Sequence, residues 1–341
     1  MKEITIYDIA AKLKISAATV SRGLHDHPLV SKKTKKAIEL AAKEMGYRSN
    51  AIASNLRNNK SNVIGVIVPR LNSSFMSDVI AGIEKVVNDS TYNLFICQSL
   101  ETMKKEVGSA MAMLNNRVDG LLVSLAYDTT DIAHFDPFIK RGIPVIFFDR
   151  VFDHSCCPQI YIDNFKAARE VTDHLIQQGA KRIVHITGNQ LRKVYAERLR
   201  GYKSALDANK IAYHDDLIIV NDLSADAGVE AAKAILKMEV MPDGVFAAND
   251  ICAITCMLEL KKHGVNIPGD IVFAGFNNDP TSRVVEPNLT TVDYKGHEMG
   301  EVAAKLMIDR LANHYEMQPT HNLILKSELI VRGSSLRNAN P

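Results

Sequence analysis

From Val63 onward the chain repeats one unit: a short, nearly continuous apolar run, then a segment with helical apolar spacing. "VIGVIV", "LFIC", "GLLVSL", "VIFF", "QIYI", "RIVHIT", "LIIV", "GVFAA" and "IVFAGF" are such runs. Strands apolar on both faces belong in parallel sheets covered by helices on both sides. The units are too many for one sheet. Two α/β lobes are expected, with the break near Asp163.

Before Val63 the texture is different. "TIYDIAAKL" places Ile6, Ile9, Ala10 and Leu13 on one helical stripe. Ser16 is a candidate N-cap, and "AATVSRGL" turns Val20 and Leu24 inward. Pro28 marks a loop. Ser31 can cap a third helix that buries Ala37, Ile38, Ala41, Ala42 and Met45 and stops at Gly46. Two short helices joined by a tight turn, with a third covering them, make a helix-turn-helix unit.

Charge separates the same two regions. Residues 1–60 hold twelve basic and five acidic side chains, a balance of +7; the remaining 281 hold 29 and 34, a balance of −5. A basic head on a mildly acidic body points to a polyanion partner for the head. The whole chain is 46% apolar, with no apolar run long enough for a membrane span and no signal-peptide pattern after Met1, so a cytoplasmic protein is expected. Of five cysteines, Cys252 and Cys256 share a helix face. With no further ligand at metal spacing they read as buried thiols, and neither a metal nor a cofactor is expected.

Within "ISAATVSRGL", Ser16, Thr19 and Ser21 offer hydroxyls to phosphate near a helix N-terminus. Ala17, Ala18 and Arg22 are expected to face outward. Arg22 can pair with guanine, and an alanine can touch only a thymine methyl.

These motifs carry a resemblance. "TIYDIAAKLKISAATVSRGL", "VSKKTKKAIELAAKEMGYRSNAIASNLR", "IGVIVP", "IFFDR", "ERLRGYKSAL", "FAAND", "IPGDIVFAGF", "LTTV" and "LIVRGSS" recur in that order in the lac-repressor (LacI/GalR) family. The resemblance covers essentially the whole chain. It implies a fold: an N-terminal all-α helix-turn-helix head and a two-lobed α/β core, periplasmic-binding-protein-like, with parallel sheets. The implied boundaries are 1–49 for the head, 50–61 for a hinge and linker, and 62–341 for the core. Its first lobe would hold about 62–163 and 291–322, its second about 164–290 and 323–341.

The resemblance also explains an odd stretch. Asn50–Arg57 can make two helical turns, too few to hold a helix alone in water. In the family this segment folds when two hinges meet on the operator minor groove, and a leucine wedges into the central base step. Leu56 stands at that place, with Ala53 keeping the paired hinges close. Arg57, Tyr7 and Asn50 are further candidate DNA contacts. One departure is His25, where the family often has Asn.

Ligands of open α/β sheets bind beyond the carboxyl ends of the strands. Phe75, Arg150, Asn164, Asn249 and Asn277 follow such strands, and Arg198 matches the family's ligand-binding arginine. Many relatives carry Asp where Asn277 and Asn278 stand, and some an aromatic where Leu223 stands. A small carbohydrate-like effector is expected, with a phosphorylated or acidic sugar or a nucleobase as alternatives.

Three other classes fit less well. No G-x-G-x-x-G follows the first strand, and neither a P-loop nor a G-x-S-x-G occurs, so catalysis is not expected. A secreted binding protein would not need the basic head. An architectural DNA binder would not need a two-lobed core. The expectation is a ligand-responsive repressor acting as a homodimer on a near-palindromic DNA operator. Only "LRNANP" follows "VRGSS", without the heptad tail that makes tetramers in this family.

Overall fold

The computed structural model describes residues 4–47, 61–313 and 322–337. The chain divides into two compact units, Met1–Ser61 and Asn62–Pro341.

The first unit is built from α1 (Ile6–Leu13), α2 (Ala17–Leu24) and α3 (Lys32–Met45). Each boundary has a local cause. Asp8 accepts from the Thr5 backbone N–H at 2.7 Å, fixing the first turn of α1. Ser16 Oγ accepts from Thr19 N–H at 3.1 Å and starts α2; Ser31 Oγ does the same for Thr34 at 3.2 Å on α3. Gly46 ends α3 with φ of 68°. The three helices close on a small core in which Ile9, Val20 and Ile38 are fully buried. α2 and α3 approach so closely that a Cβ on Gly23 would lie 2.4 Å from Ile38 Cδ1.

The second unit holds two parallel sheets. β1 (Val63–Val68), β2 (Asn93–Gln98), β3 (Gly120–Val123), β4 (Val145–Phe148), β5 (Gln159–Ile162) and β11 (Asn322–Leu325) form the first, in the order β11-β5-β4-β3-β1-β2. β6 (Ile183–Thr187), β7 (Ile218–Val220), β8 (Gly244–Ala247) and β9 (Val272–Ala274) form the second, in the order β7-β6-β8-β9. β10 (Thr291–Asp293) and β12 (Glu328–Ile330), which precede and follow β11 in sequence, form a two-stranded antiparallel ribbon. Strands β3, β4, β6 and β8 are buried along their whole length, as near-continuous apolar runs require.

Helices α4 (Ser74–Asn88), α5 (Met103–Asn115), α6 (Asp136–Lys140), α7 (Asn164–Gln177), α8 (Lys193–Ala208), α9 (Ala225–Leu236), α10 (Asp250–Lys262) and α11 (Gly296–Asn313) connect the strands. α4 and α11 touch backbone to backbone: a Cβ on Gly82 would meet His297 O at 2.1 Å, and one on Gly300 would meet Val79 O at 2.0 Å.

The chain crosses between sheets at Asp163, which caps α7 through Lys166 N–H, and again near Asp293, after Leu289 has packed in the second sheet's core and before α11 packs on the first sheet. The third crossing corrects the sequence-derived boundary at 322/323. Leu323, Ile324 and Leu325 pair with Ile160, Tyr161 and Ile162 in the first sheet, so the return follows residue 325. β11 is an edge strand that alternates exposed and half-buried residues. Its apolar run is only Leu323–Leu325 and a second short run follows at once in β12, so its sheet is hard to assign from sequence. No helix among the described residues is long and apolar enough to cross a membrane.

Candidate functional site

The carboxyl ends of β1, β4, β8 and β9 open onto a cleft of about 360 Å³. Phe75, Arg150, Arg198, Asn249 and Asn277 all line it, with Arg70, Glu101, Asp149, Tyr195, Asp222, Leu223 and Tyr294. Asn164 lies behind Arg198 and touches the cleft only through it.

Arg198 is 3% exposed. Its Nε donates to Asn164 Oδ1 at 2.9 Å and one terminal nitrogen to Ala248 O at 2.6 Å. The guanidinium plane lies 3.6 Å from the Phe276 ring centroid. These contacts fix the fork in position, a stacked geometry that lysine cannot reproduce. Burial lowers the guanidinium's affinity for its proton, opposed by Tyr294, Tyr195 and Asp149.

Arg150 is held differently. It donates to both oxygens of Glu101, at 2.5 and 3.3 Å, and to Tyr195 Oη at 3.0 Å. Burial works against its charge, but Tyr195 and Glu101 outweigh it and hold the guanidinium above its ordinary value. Arg70 completes the set, 3.5 Å from Glu101 and 3.9 Å from Asp222.

Asp149 caps no helix. Its carboxylate accepts from Tyr294 Oη at 2.7 Å and from Ser124 Oγ at 3.3 Å. Burial pushes it above the usual carboxylate range, and Arg150, Tyr294 and Arg198 oppose the shift. Tyr294 in turn stacks on Phe75 with centroids 4.4 Å apart. Phe75 is therefore both packed, at 7% exposure, and part of the cleft wall.

Two of the asparagines are less free than their positions suggest. Asn249 Oδ1 caps α10 through Cys252 N–H, and its Nδ2 donates to Leu223 O, both at 2.9 Å. Asn278 links Asp293 to Arg332 and does not line the cleft. Asn277, at φ of 114°, follows β9 and lines the cleft. Below them Asp250 is fully buried and accepts from Thr291 Oγ1 and Asp279 N–H. Burial pushes Asp250 up to about 6 and Asp279, beside it, up to about 7.

Sequence reasoning missed Tyr195, Tyr294, Glu101 and Asp222. Tyr195 sits one turn before Arg198 on α8 and was legible by that spacing. Glu101 pairs with Arg150 across 49 residues, which no local pattern signals.

On the head, Tyr7 is 71% exposed, and Ala18 and Arg22 are exposed on α2. Ala17 corrects an expectation: it packs against the head's apolar core. It lies three and seven residues before Val20 and Leu24, on the buried face. Ser16 and Thr19 hydroxyls bond each other at 2.8 Å, and Ser21 is half-buried. Asn50, Ala53, Leu56 and Arg57 lie outside the described residues.

Cys252 and Cys256 are fully buried. Burial pushes the Cys252 thiol up to about 12. Among the described residues no group of His, Cys, Asp or Glu is arranged to hold a metal ion.

Residues 5–50 match the family model for bacterial regulatory proteins of the lacI family, and residues 172–335 match a periplasmic binding protein-like domain. Catabolite control protein A of Priestia megaterium is 30% identical over 305 residues, spanning 89% of this chain and 91% of that protein. The transcriptional repressor CytR of Escherichia coli (strain K12) is 30% identical over 334 residues, 97% of this chain and 96% of the relative. The chain belongs to the lacI family. It is a transcription regulator with a helix-turn-helix DNA-binding head and a periplasmic-binding-protein-like core. Among solved structures, the CelR–cellobiose complex superposes with a TM-score of 0.74 at 25% identity, covering 97% of this chain and all of that one.

Proposed function

We propose that this lacI-family regulator is a cytoplasmic homodimeric repressor whose operator binding is switched by a neutral, hydroxyl-rich small molecule in the cleft. It assigns the protein no catalysis. The observation that carries the effector class is the occupancy of the cleft's cations. Arg150 is bonded to Glu101 and Tyr195, Arg70 faces Glu101 and Asp222, and Arg198 is held by Asn164 and the Ala248 carbonyl.

A phosphate that drew Arg150 away from Glu101 would leave that carboxylate unpaired, at a cost of several kcal/mol. A hydroxyl can add to them, since it donates to Asp149 or Asn277 and accepts from Arg198 without displacing anything. Phe75, Met76, Val194, Leu223 and Ile251 supply the apolar surface that a sugar ring covers. The solved relative in complex with cellobiose supports the same class.

In this reading the exposed face of α2 enters the major groove, with Arg22 on a base edge and Tyr7, Ser16, Thr19 and Ser21 near the backbone. The hinge then folds on DNA and Leu56 wedges the central step. Effector binding acts only through its different affinity for the DNA-bound and free states.

The test is fluorescence anisotropy of a selected operator duplex across paired compounds, each neutral sugar beside its phosphate ester. Neutral sugars should include the ligands that shift the binding curve. A shift confined to the phosphate esters would refute the effector class. Leu56→Ala should lose operator preference while keeping salt-sensitive binding to any duplex; equal loss of both would remove the wedge.

A further inference from the structure

The two lobes touch through two kinds of bond. Arg150 reaches Tyr195 and Arg70 faces Asp222, and all four line the cleft. The other kind lies outside it. The chain leaving β3 runs on as a strap, residues 126–134, from the first lobe toward the second. Tyr127 packs against the apolar cluster of the second lobe, its ring centroid 6.4 Å from that of Tyr195. Its hydroxyl donates to the carbonyl of Asn221, just beyond β7, at 2.8 Å. Its own carbonyl accepts from Asn189 Nδ2 at 3.3 Å, and the Thr129 carbonyl accepts from Arg192. Tyr127, Thr129, Asn189, Arg192 and Asn221 do not line the cleft.

The strap is anchored at its base. Glu106 on α5 is fully buried. One of its oxygens accepts from Ala126 N–H at 2.6 Å, and the other from Thr129 Oγ1 at 2.9 Å. Asp128 accepts from the N–H of Met103, the first residue of α5, at 2.5 Å. Groups on both sides of Tyr127 therefore bind back to the first lobe, while Tyr127 reaches forward. Arg192 is 4% exposed, so its bond to the strap is hidden from water, where losing a partner is costly.

We infer that Tyr127 is a positioning residue: together with Arg192 it latches the two lobes at a point the effector does not touch. This rests on the cleft being the effector's site. A latch outside the site favours the closed arrangement for every ligand alike. Weakening it changes the apparent affinity of all effectors by one common factor and leaves their rank order as it was. A substitution in the cleft wall changes the rank order.

The experiment measures lobe spacing with no effector added, so its result stands apart from the test of effector class. Spin labels go on the full chain at M111C on α5 and K233C on α9, both exposed positions. Cys97 and Cys156, the half-exposed native thiols, are replaced by serine. Labelled chain is diluted with unlabelled chain, so that distances within one chain dominate. Pulsed electron–electron resonance should give the wild type one dominant distance. Y127F removes only the hydroxyl donor, and R192M removes the guanidinium. Each should raise the ratio of a second distance to the first by roughly three- to ten-fold, with helix content by circular dichroism unchanged. Identical distributions in all three proteins would overturn the inference. Two comparable distances in the wild type would overturn it as well, since the latch would then not hold. Should R192M fail to fold, Y127F decides alone, because it keeps the ring.

Discussion

Arg22 and Arg198 are the same residue type in opposite circumstances. Arg22 stands exposed on a helix of the head. Arg198 is 3% exposed, stacked on Phe276 and bonded to Asn164 and Ala248. The head keeps Tyr7, Ala18 and Arg22 in solvent, because its partner is large and arrives from outside. The core folds its recognition groups inward and lets them satisfy one another, because its partner is small and has to replace water inside a cleft. A head side chain can therefore be changed with little effect on folding. A cleft side chain cannot, since function and stability share the same bonds.

The largest effect should come where the head has no reserve. Ile38 is fully buried in a core of few residues. Ile38→Ala should cost roughly 2–5 kcal/mol, enough to abolish the head's own thermal transition. Calorimetry of the full chain should show the core transition unmoved. A matched fall in both would mean that the two units do not melt separately.

Next is Arg198→Ala. It leaves the Asn164 oxygen and the Ala248 carbonyl buried without donors, and should cost the core on the order of 3 kcal/mol. Effector response should vanish with it, while the folded fraction still binds operator. Urea denaturation paired with operator titration checks both parts. An unchanged urea midpoint would contradict the shared-bond account.

The buried Asp250 supplies a pH test. Burial raises its folded-state carboxyl to about 6 from 3.8. Between those values the folded core holds a proton that the unfolded chain releases. This group's contribution to stability therefore falls as pH rises through that window and is level above it. Over the window it amounts to on the order of 2–3 kcal/mol. Asp250→Asn should flatten the slope of the urea midpoint between pH 4 and 6 relative to wild type. A parallel slope in the variant would contradict the assignment.

Tyr294→Phe removes one donor from Asp149 and keeps the stack on Phe75. A loss of about 1–2 kcal/mol is expected, together with weaker effector binding by calorimetry. Smallest should be Arg22→Ala, within about 0.5 kcal/mol in stability, yet with loss of base preference in each half-site. A destabilisation as large as that of Arg198→Ala would erase the contrast between the two regions.

The same contrast explains how much was legible in the sequence. The strand runs, the caps at Ser16 and Ser31 and the stop at Gly46 are local, and local chemistry decides them. Ala17 was misjudged because a helix of eight residues shows too little periodicity to fix its faces. In the core, position after a strand was enough to bring Phe75, Arg150, Asn249 and Asn277 to one cleft, and the family resemblance added Arg198 on α8. What each does there was not legible. Glu101 and Asp222 reach Arg150 and Arg70 from distant segments, and Asn249 is committed to capping α10. The Glu101–Arg150 pair joins two segments of the first lobe and the Arg70–Asp222 pair joins the two lobes, and no window of sequence contains either.

The central claim is that the head and the hinge that follows it read DNA together. Selection of duplexes from a random pool by the wild-type chain at near-physiological salt tests this most directly. The account predicts a two-fold symmetric motif with a shared central step. Binding that ignores sequence and simply fades as salt rises would contradict it and leave the head a nonspecific anchor.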